Sequence, residues 1–170
     1  VRYGNVMGSR GSIIPYFIET AKRKILTVTD TRMTRFMISL ESAVDLVFHA
    51  FQDMDGGEIY VKKIPSMKIT EIAKAICPNC KIKIIGIRPG ERIHEKMISA
   101  SDASNTYEFK DHYKILPSMY NWSRTKKKIN GKKVLKNFEY SSDKNSKWMT
   151  VQELKRWINK NKFFLDELYY

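Results

Sequence analysis

The sequence is short of several features that would announce a function. No G-x-G-x-x-G run occurs among its eight glycines, so these residues do not encode the turn that cradles a dinucleotide pyrophosphate. There are two cysteines and three histidines, and no two of His49, His94 and His112 stand three to five residues apart. A structural zinc site needs four ligands, commonly in two close pairs, so none is expected. No apolar stretch approaches the ~18 residues that span a bilayer, so no membrane segment is expected. The first residues hold no initiator Met and no basic-then-apolar leader. A chain that opens inside a strand reads as a piece of a longer protein. Acidic side chains are scarce, with 18 Asp+Glu against 31 Lys+Arg and a formal net charge of +13.

That surplus raises a nucleic-acid reading, and its distribution weakens it. Residues 1–116 hold 18 basic and 13 acidic side chains, whereas residues 117–170 hold 13 and 5. The excess sits around Arg124, Lys126, Lys127, Lys128, Lys132 and Lys133, a run that reads first as a solvated loop. As a nucleic-acid surface it would take Tyr120, Trp122 and Phe138 as stacking partners. The pair Cys77-Pro78-Asn79-Cys80 follows a helical run and precedes a strand. It reads as a helix-ending turn rather than as metal or redox chemistry, and such sparing cysteine use fits a reducing cytoplasm.

The chain alternates strand and helix patterns. A buried strand is expected over 1–7, a glycine-serine loop over 8–12 and a helix from 13 to about 23, with Pro15 in its first turn. A short extended segment follows at 27–30. Leu40, Val44, Val47, Phe48 and Phe51 recur at helical spacing. Strands are expected at 58–62 and 81–87, a helix on Ile69, Ile72, Ala73 and Ile76, a short helix over 91–99, and a weak strand pair within 107–116. Residues 117–148 are polar and basic. Thr150 and Glu153 form a capping box that opens a last helix with Val151, Leu154, Trp157 and Ile158 on one face. The fold class is α/β with parallel strands. Its expected divisions are 1–116, 117–148 and 149–170.

Two strand ends break into glycine-punctuated loops that carry arginine. One is Gly8-Ser9-Arg10-Gly11-Ser12, the other Arg88-Pro89-Gly90-Glu91. In open α/β sheets ligands bind beyond the carboxyl ends of strands. A helix start after a small-residue loop offers free N–H groups to an anion, and an arginine fork suits phosphate. Together they suit a phosphorylated small molecule, with Glu91 accepting from sugar hydroxyls. The plainer alternative for Arg88–Glu91 is a surface turn with a local ion pair, and for Asn5 a turn former ending a strand. Arg32 and Arg35, in the polar stretch 30–36, either face a ligand or pair with Asp30 and Glu41.

Four runs in order carry a resemblance. They are 1–15, Thr29-Asp30-Thr31-Arg32-Met33-Thr34-Arg35-Phe36, Lys63-Ile64-Pro65-Ser66-Met67-Lys68-Ile69, and 85–95 with its Arg88-Pro89-Gly90-Glu91. With the tail Phe138-Glu139-Tyr140-Ser141-Ser142-Asp143 they resemble the inverting UDP-N-acetylglucosamine 4,6-dehydratases, extended short-chain dehydrogenase/reductases of the polysaccharide-biosynthesis type. The resemblance implies the end of a Rossmann-type sheet interleaved with a smaller substrate-binding subdomain. It implies NADP, held mainly by residues outside this chain, and UDP-N-acetylglucosamine as substrate. In that family C4 is oxidised, water is lost across C5 and C6, C6 is reduced and C5 is inverted. The substrate-binding residues carried over are Asn5, Ile13, Ile14, Pro15, Tyr16, Phe17, Thr29, Arg88 and Glu91. A homo-oligomer in the cytoplasm is implied, with neither membrane nor nucleic acid as partner. The catalytic Tyr-x-x-x-Lys would lie upstream of residue 1, so no catalytic residue, metal ligand or cofactor ligand is expected here, and the chain alone is expected to be inactive. The one such spacing present, Tyr140 to Lys144, runs through Ser-Ser-Asp, which favours a turn over a helix. A nucleotide-sugar epimerase or a retaining dehydratase would share the same binding half, so both stay open.

Overall fold

The computed structural model describes residues 1–117, 129–162 and 165. Arg124, Lys126, Lys127, Lys128, Tyr120 and Trp122, which carry most of the nucleic-acid reading, lie outside the described residues. In chain order the elements begin with β1 (Asn5–Val6), α1 (Ile13–Ala21), β2 (Ile25–Val28), β3 (Thr34–Ile38), α2 (Leu40–Asp53), β4 (Ile59–Lys62), β5 (Ser66–Lys68), α3 (Ile69–Ile76) and β6 (Lys81–Ile84). They continue with β7 (Lys96–Ile98), α4 (Ala100–Ala103), β8 (Thr106–Glu108), β9 (His112–Ile115), β10 (Lys132–Lys133), β11 (Tyr140–Ser141) and α5 (Val151–Lys160). No helix among the described residues is long and apolar enough to cross a membrane.

The chain forms two compact units, each assembled from three separated segments. One comprises Val1–Tyr3, Leu40–Lys63 and Lys96–Ser141; the other comprises Gly4–Ser39, Ile64–Glu95 and Ser142–Tyr170.

In the first unit β10, β8, β9 and β4 form one antiparallel sheet. The helix α2 forms where the periodicity places it, but with a different face inward. Ala43, Leu46 and Ala50 are buried, whereas Leu40, Val44, Phe48 and Phe51 are exposed, Phe51 by 71%. The small alanines let the helix approach Tyr60, with which Leu46 and Ala50 form a cluster. Tyr60 donates its hydroxyl to Asp53 at 2.7 Å, and Lys114 pairs with the same carboxylate. Beside them Phe109 stacks on His112 with ring centroids 4.7 Å apart, and His49 meets the edge of the same imidazole. The Nε2 of His112 is buried and has no hydrogen-bond partner among the described residues.

The second unit holds the larger core. Here β1 runs parallel to β3, β3 antiparallel to β5, and β2 parallel to β6. Counted over both units, antiparallel pairings outnumber parallel ones, against the expectation of a parallel sheet. The helix α1 buries Ile14 and Phe17, α3 buries Ile72 and Ala73, and α5 contributes Leu154, all to one cluster with Leu26, Val28 and Met67. The capping box on Thr150 and Glu153 forms as read. Two expectations fail. The stretch 30–36 reads as polar, but from Thr34 it enters β3, because Thr34, Phe36, Met37 and Ile38 all turn inward. Residues 91–99 form no helix; the backbone N–H of Glu95 is tied to Ser142 Oγ at 2.9 Å, and 96–98 pairs with β11. Cys77 stands at the end of α3, a helix-ending turn as read, but it is disulfide-bonded to Cys80, against the reading of cysteines kept in a reducing compartment. Among the described residues no group of three or more His, Cys, Asp or Glu is placed to hold a metal ion.

Two outcomes follow from this packing. A Cβ at Gly4 would stand 2.3 Å from Phe36 Cβ and 2.8 Å from its carbonyl oxygen, so Gly4→Ala costs about 2–3 kcal/mol, read from urea unfolding. Burial, then the charges of His49 and Lys114, lower the His112 pKa to about 4. The unfolded imidazole titrates near ~6.5, so the unfolded chain takes up that proton first as pH falls. Stability therefore drops between pH 6.5 and 4. His112→Phe, which keeps the ring stack, flattens the urea midpoint across that window.

Candidate functional site

In the second unit a small cleft of about 110 Å³ opens beside the ends of β1 and β2. Its polar lining is Asn5, Thr27, Thr29, Arg35 and Glu91, and its apolar wall includes Ile13, Met33 and Ile69. The volume suits a few heavy atoms, such as part of a sugar ring; whole drug-sized ligands occupy ~300 Å³ or more. A larger hollow of about 460 Å³ lies between α1, α3 and α5, but it is mainly apolar and none of the expected site residues lines it.

Of the residues singled out by sequence, Asn5, Ile13, Thr29 and Glu91 share the cleft. Ile14, Pro15 and Phe17 point into the core. Tyr16 is exposed, and its hydroxyl meets Thr27 Oγ1 at 2.6 Å. Arg88 stands at the neighbouring turn outside the cleft lining. Its backbone N–H donates to Glu91 Oε2 at 3.1 Å, while its guanidinium is exposed with no partner among the described residues. The turn therefore holds itself through main chain to carboxylate, not through an ion pair. Tyr140 is buried in β11, in a strand rather than on a helix with Lys144. Phe138, the candidate stacking residue, packs on the Tyr113 ring with centroids 5.2 Å apart.

Arg32 pairs with Asp30 as expected, through two contacts of 3.0 and 2.7 Å that hold the Asp30 carboxyl down at about 2. Arg35 lines the cleft, the first of its two expected roles, and its carboxylate partner is Glu95 at 3.6 Å instead of Glu41. Its Nη1 donates to the carbonyls of Thr34 and Ile93 at 2.8 and 3.0 Å. Its Nη2 donates to the carbonyl of Arg92 at 3.1 Å and meets the Met33 sulfur. Four of its five N–H donors are thus hydrogen-bonded and its Nε faces Glu95 as an ion pair, and Arg35 fastens the segment after the Arg88 turn to β3.

Sequence reasoning missed Glu95. Its carboxylate accepts from Phe36 N at 3.1 Å and from the Asn5 amide at 2.8 and 3.0 Å. The Asn5 nitrogen faces Glu95 because the opposite orientation would set oxygen against oxygen. Burial pushes the Glu95 carboxyl up, while the Phe36 N–H and Arg35 pull it back down. Nearby, Thr34 Oγ1 contacts His94 Nδ1 at 2.8 Å and buried Ser142 Oγ at 2.7 Å. These contacts span 59 to 108 residues of sequence, and no local pattern encodes them.

The fold is that of the C-terminal part of an extended short-chain dehydrogenase/reductase. A solved structure, Pen from Bacillus thuringiensis, superposes with a TM-score of 0.80 at 31% identity, over 95% of this chain and 49% of that one. The family model "Polysaccharide biosynthesis protein" matches residues 1–117, and the chain belongs to that family. It is 49% identical to the UDP-N-acetylglucosamine 4,6-dehydratase (inverting) of Campylobacter jejuni, over 96% of this chain and 51% of the relative. It is 36% identical to the UDP-glucose 4-epimerase of Rickettsia conorii, over 98% of this chain and 50% of that relative. The chain thus spans about half the length of the curated relatives it matches.

Arg35→Ala frees three carbonyls and leaves Glu95 without its cation, at a cost of about 2–3 kcal/mol in urea unfolding. Arg32→Ala, which breaks an exposed pair, leaves the unfolding midpoint in place.

Proposed function

We propose that this chain is the substrate-binding part of an NADP-dependent UDP-N-acetylglucosamine 4,6-dehydratase serving surface-polysaccharide or nonulosonic acid synthesis in the cytoplasm, within a homo-oligomer. The observation that carries the reading is the convergence of Asn5, Ile13, Thr29 and Glu91, from four separate stretches of the chain, on one cleft beside the Arg88 turn. The 49% identity to an inverting dehydratase supports the same reaction. The 36% identity to UDP-glucose 4-epimerases favours a second reading with the same nucleotide and a different sugar.

The chain's residues do not by themselves make a dinucleotide site, for they include no glycine-rich pyrophosphate turn. No chemical step is therefore assigned to them. Their part is to bind and orient. The exposed Arg88 fork offers charge-assisted hydrogen bonds to the diphosphate. Glu91, its carboxylate pinned by the Arg88 N–H, accepts from a hydroxyl on the cleft side.

Calorimetric titration of the chain with UDP-N-acetylglucosamine, UDP-glucose and UDP tests this. Binding is expected, tighter for UDP-N-acetylglucosamine, and Arg88→Ala should lose about 2 kcal/mol, as for a charged hydrogen bond removed. A preference for UDP-glucose shifts the reading to the epimerase. Unchanged affinity in Arg88→Ala makes the turn structural and takes the diphosphate away from it.

A further inference from the structure

The cleft is richer in acceptors than its arginine suggests. Arg35 lines it, yet its Nη groups are spent on Thr34, Ile93, Arg92 and Met33 and its charge is paired with Glu95. Glu91 brings a carboxylate. Asn5 is the residue whose polarity is open in principle, since a primary amide carries both a donor and an acceptor end. The Glu95 carboxylate settles that choice by taking the nitrogen. It is held in place for that role on three sides. Phe36 N–H and the Arg35 guanidinium approach the carboxylate, and the Glu95 main chain is bracketed by Ser142 through contacts of 2.9 and 2.8 Å.

We propose that Glu95 is a positioning residue that sets the polarity of the cleft. By holding the Asn5 nitrogen it leaves Asn5 with an oxygen to offer, so the ligand group bound there is a hydrogen-bond donor, a sugar hydroxyl or amide N–H, and not a phosphate oxygen. A nucleotide sugar then lies with its sugar in the cleft and its diphosphate outside it, toward Arg88. A phosphate in the cleft would face the Glu91 carboxylate and the Asn5 oxygen, while the Arg35 charge is already paired with Glu95 and both its Nη groups are bound elsewhere, whereas hydroxyls are served by both. The small volume agrees, since it accommodates part of a hexose. This inference rests on the nucleotide-sugar reading for its ligand, while the Glu95–Asn5 contact does not.

The test is the side-chain amide spectrum of the ¹⁵N-labelled chain, with the Asn5 pair identified by its loss in Asn5→Asp. Held by Glu95, the pair resonates away from the free-amide position and returns toward it in Glu95→Gln. A pair that sits at the free position in the wild type, or ignores Glu95→Gln, overturns the proposal. Titration with UDP-N-acetylglucosamine and its monodeoxyfluoro analogues then reads the ligand polarity, because fluorine cannot donate. One fluorine substitution should weaken binding at least about fivefold, and that penalty should shrink in Glu95→Gln. The double variant Asn5→Asp with Glu95→Gln exchanges donor and acceptor within the pair while keeping an oxygen for the ligand, so it should restore the penalty. Equal tolerance of every fluorine analogue by the wild type overturns the assigned polarity. A chain whose Asn5 pair answers to Glu95 but which binds no UDP-sugar overturns the nucleotide-sugar reading, and with it the ligand assignment, while the contact itself stands.

Discussion

The site depends on how one carboxylate in a half-buried position is satisfied. Glu95 brings together the end of β1, the start of β3 and the segment that follows the Arg88 turn, and each contact is a hydrogen bond or ion pair that water would otherwise supply. Buried polar groups persist in native structures when they are paired, and leaving one unpaired costs more than a typical hydrogen bond contributes. The arrangement is thus interdependent: Arg35 anchors the chain that carries Glu95, and Glu95 orients the amide that lines the cleft. Thr34 and Ser142 close the same region from a segment more than a hundred residues away. No member of the group is isolated enough to drift without loosening its neighbours.

What the sequence displays are features with short-range causes. The capping box on Thr150 and Glu153 is a local reciprocal bond and forms as read. The spacing of Leu40 to Phe51 yields a helix, but helical spacing does not say which face turns inward when a second face carries alanines; α2 buries Ala43, Leu46 and Ala50. The segment 34–38 was hidden by its charged company, since Arg35 interrupts an otherwise core-facing strand. At the site, Asn5 and Glu91 stand out as strand-end and turn residues, Ile13 and Thr29 only through the family resemblance, and the four line one cleft. Ile14 and Phe17, adjacent to them in sequence, are core because α1 turns that face inward. Glu95 was not legible, because nothing within a few residues of it distinguishes it from a surface acid.

The two kinds of relative, a dehydratase and an epimerase, share this half at substantial identity. Both are named for chemistry on a UDP-sugar, and the cleft of Asn, Thr and Glu with an arginine turn beside it holds no group assigned to either reaction. Fold and recognition here are separable from reaction type, as expected when function resides in sites placed upon a common scaffold. The family membership fixes the scaffold, while the cleft is lined by a handful of side chains from separate stretches.

Each compact unit is stitched from three stretches that alternate along the chain, so the backbone passes from one unit to the other five times. The larger core also draws on Leu154 of α5. During synthesis from the amino end, therefore, the residues around Asn5 emerge well before the helix that completes their core. Neither unit can be isolated by trimming one end. A deletion that runs past the terminal segment at either end removes residues of both, and dissecting the two requires point substitutions or a rewired chain order.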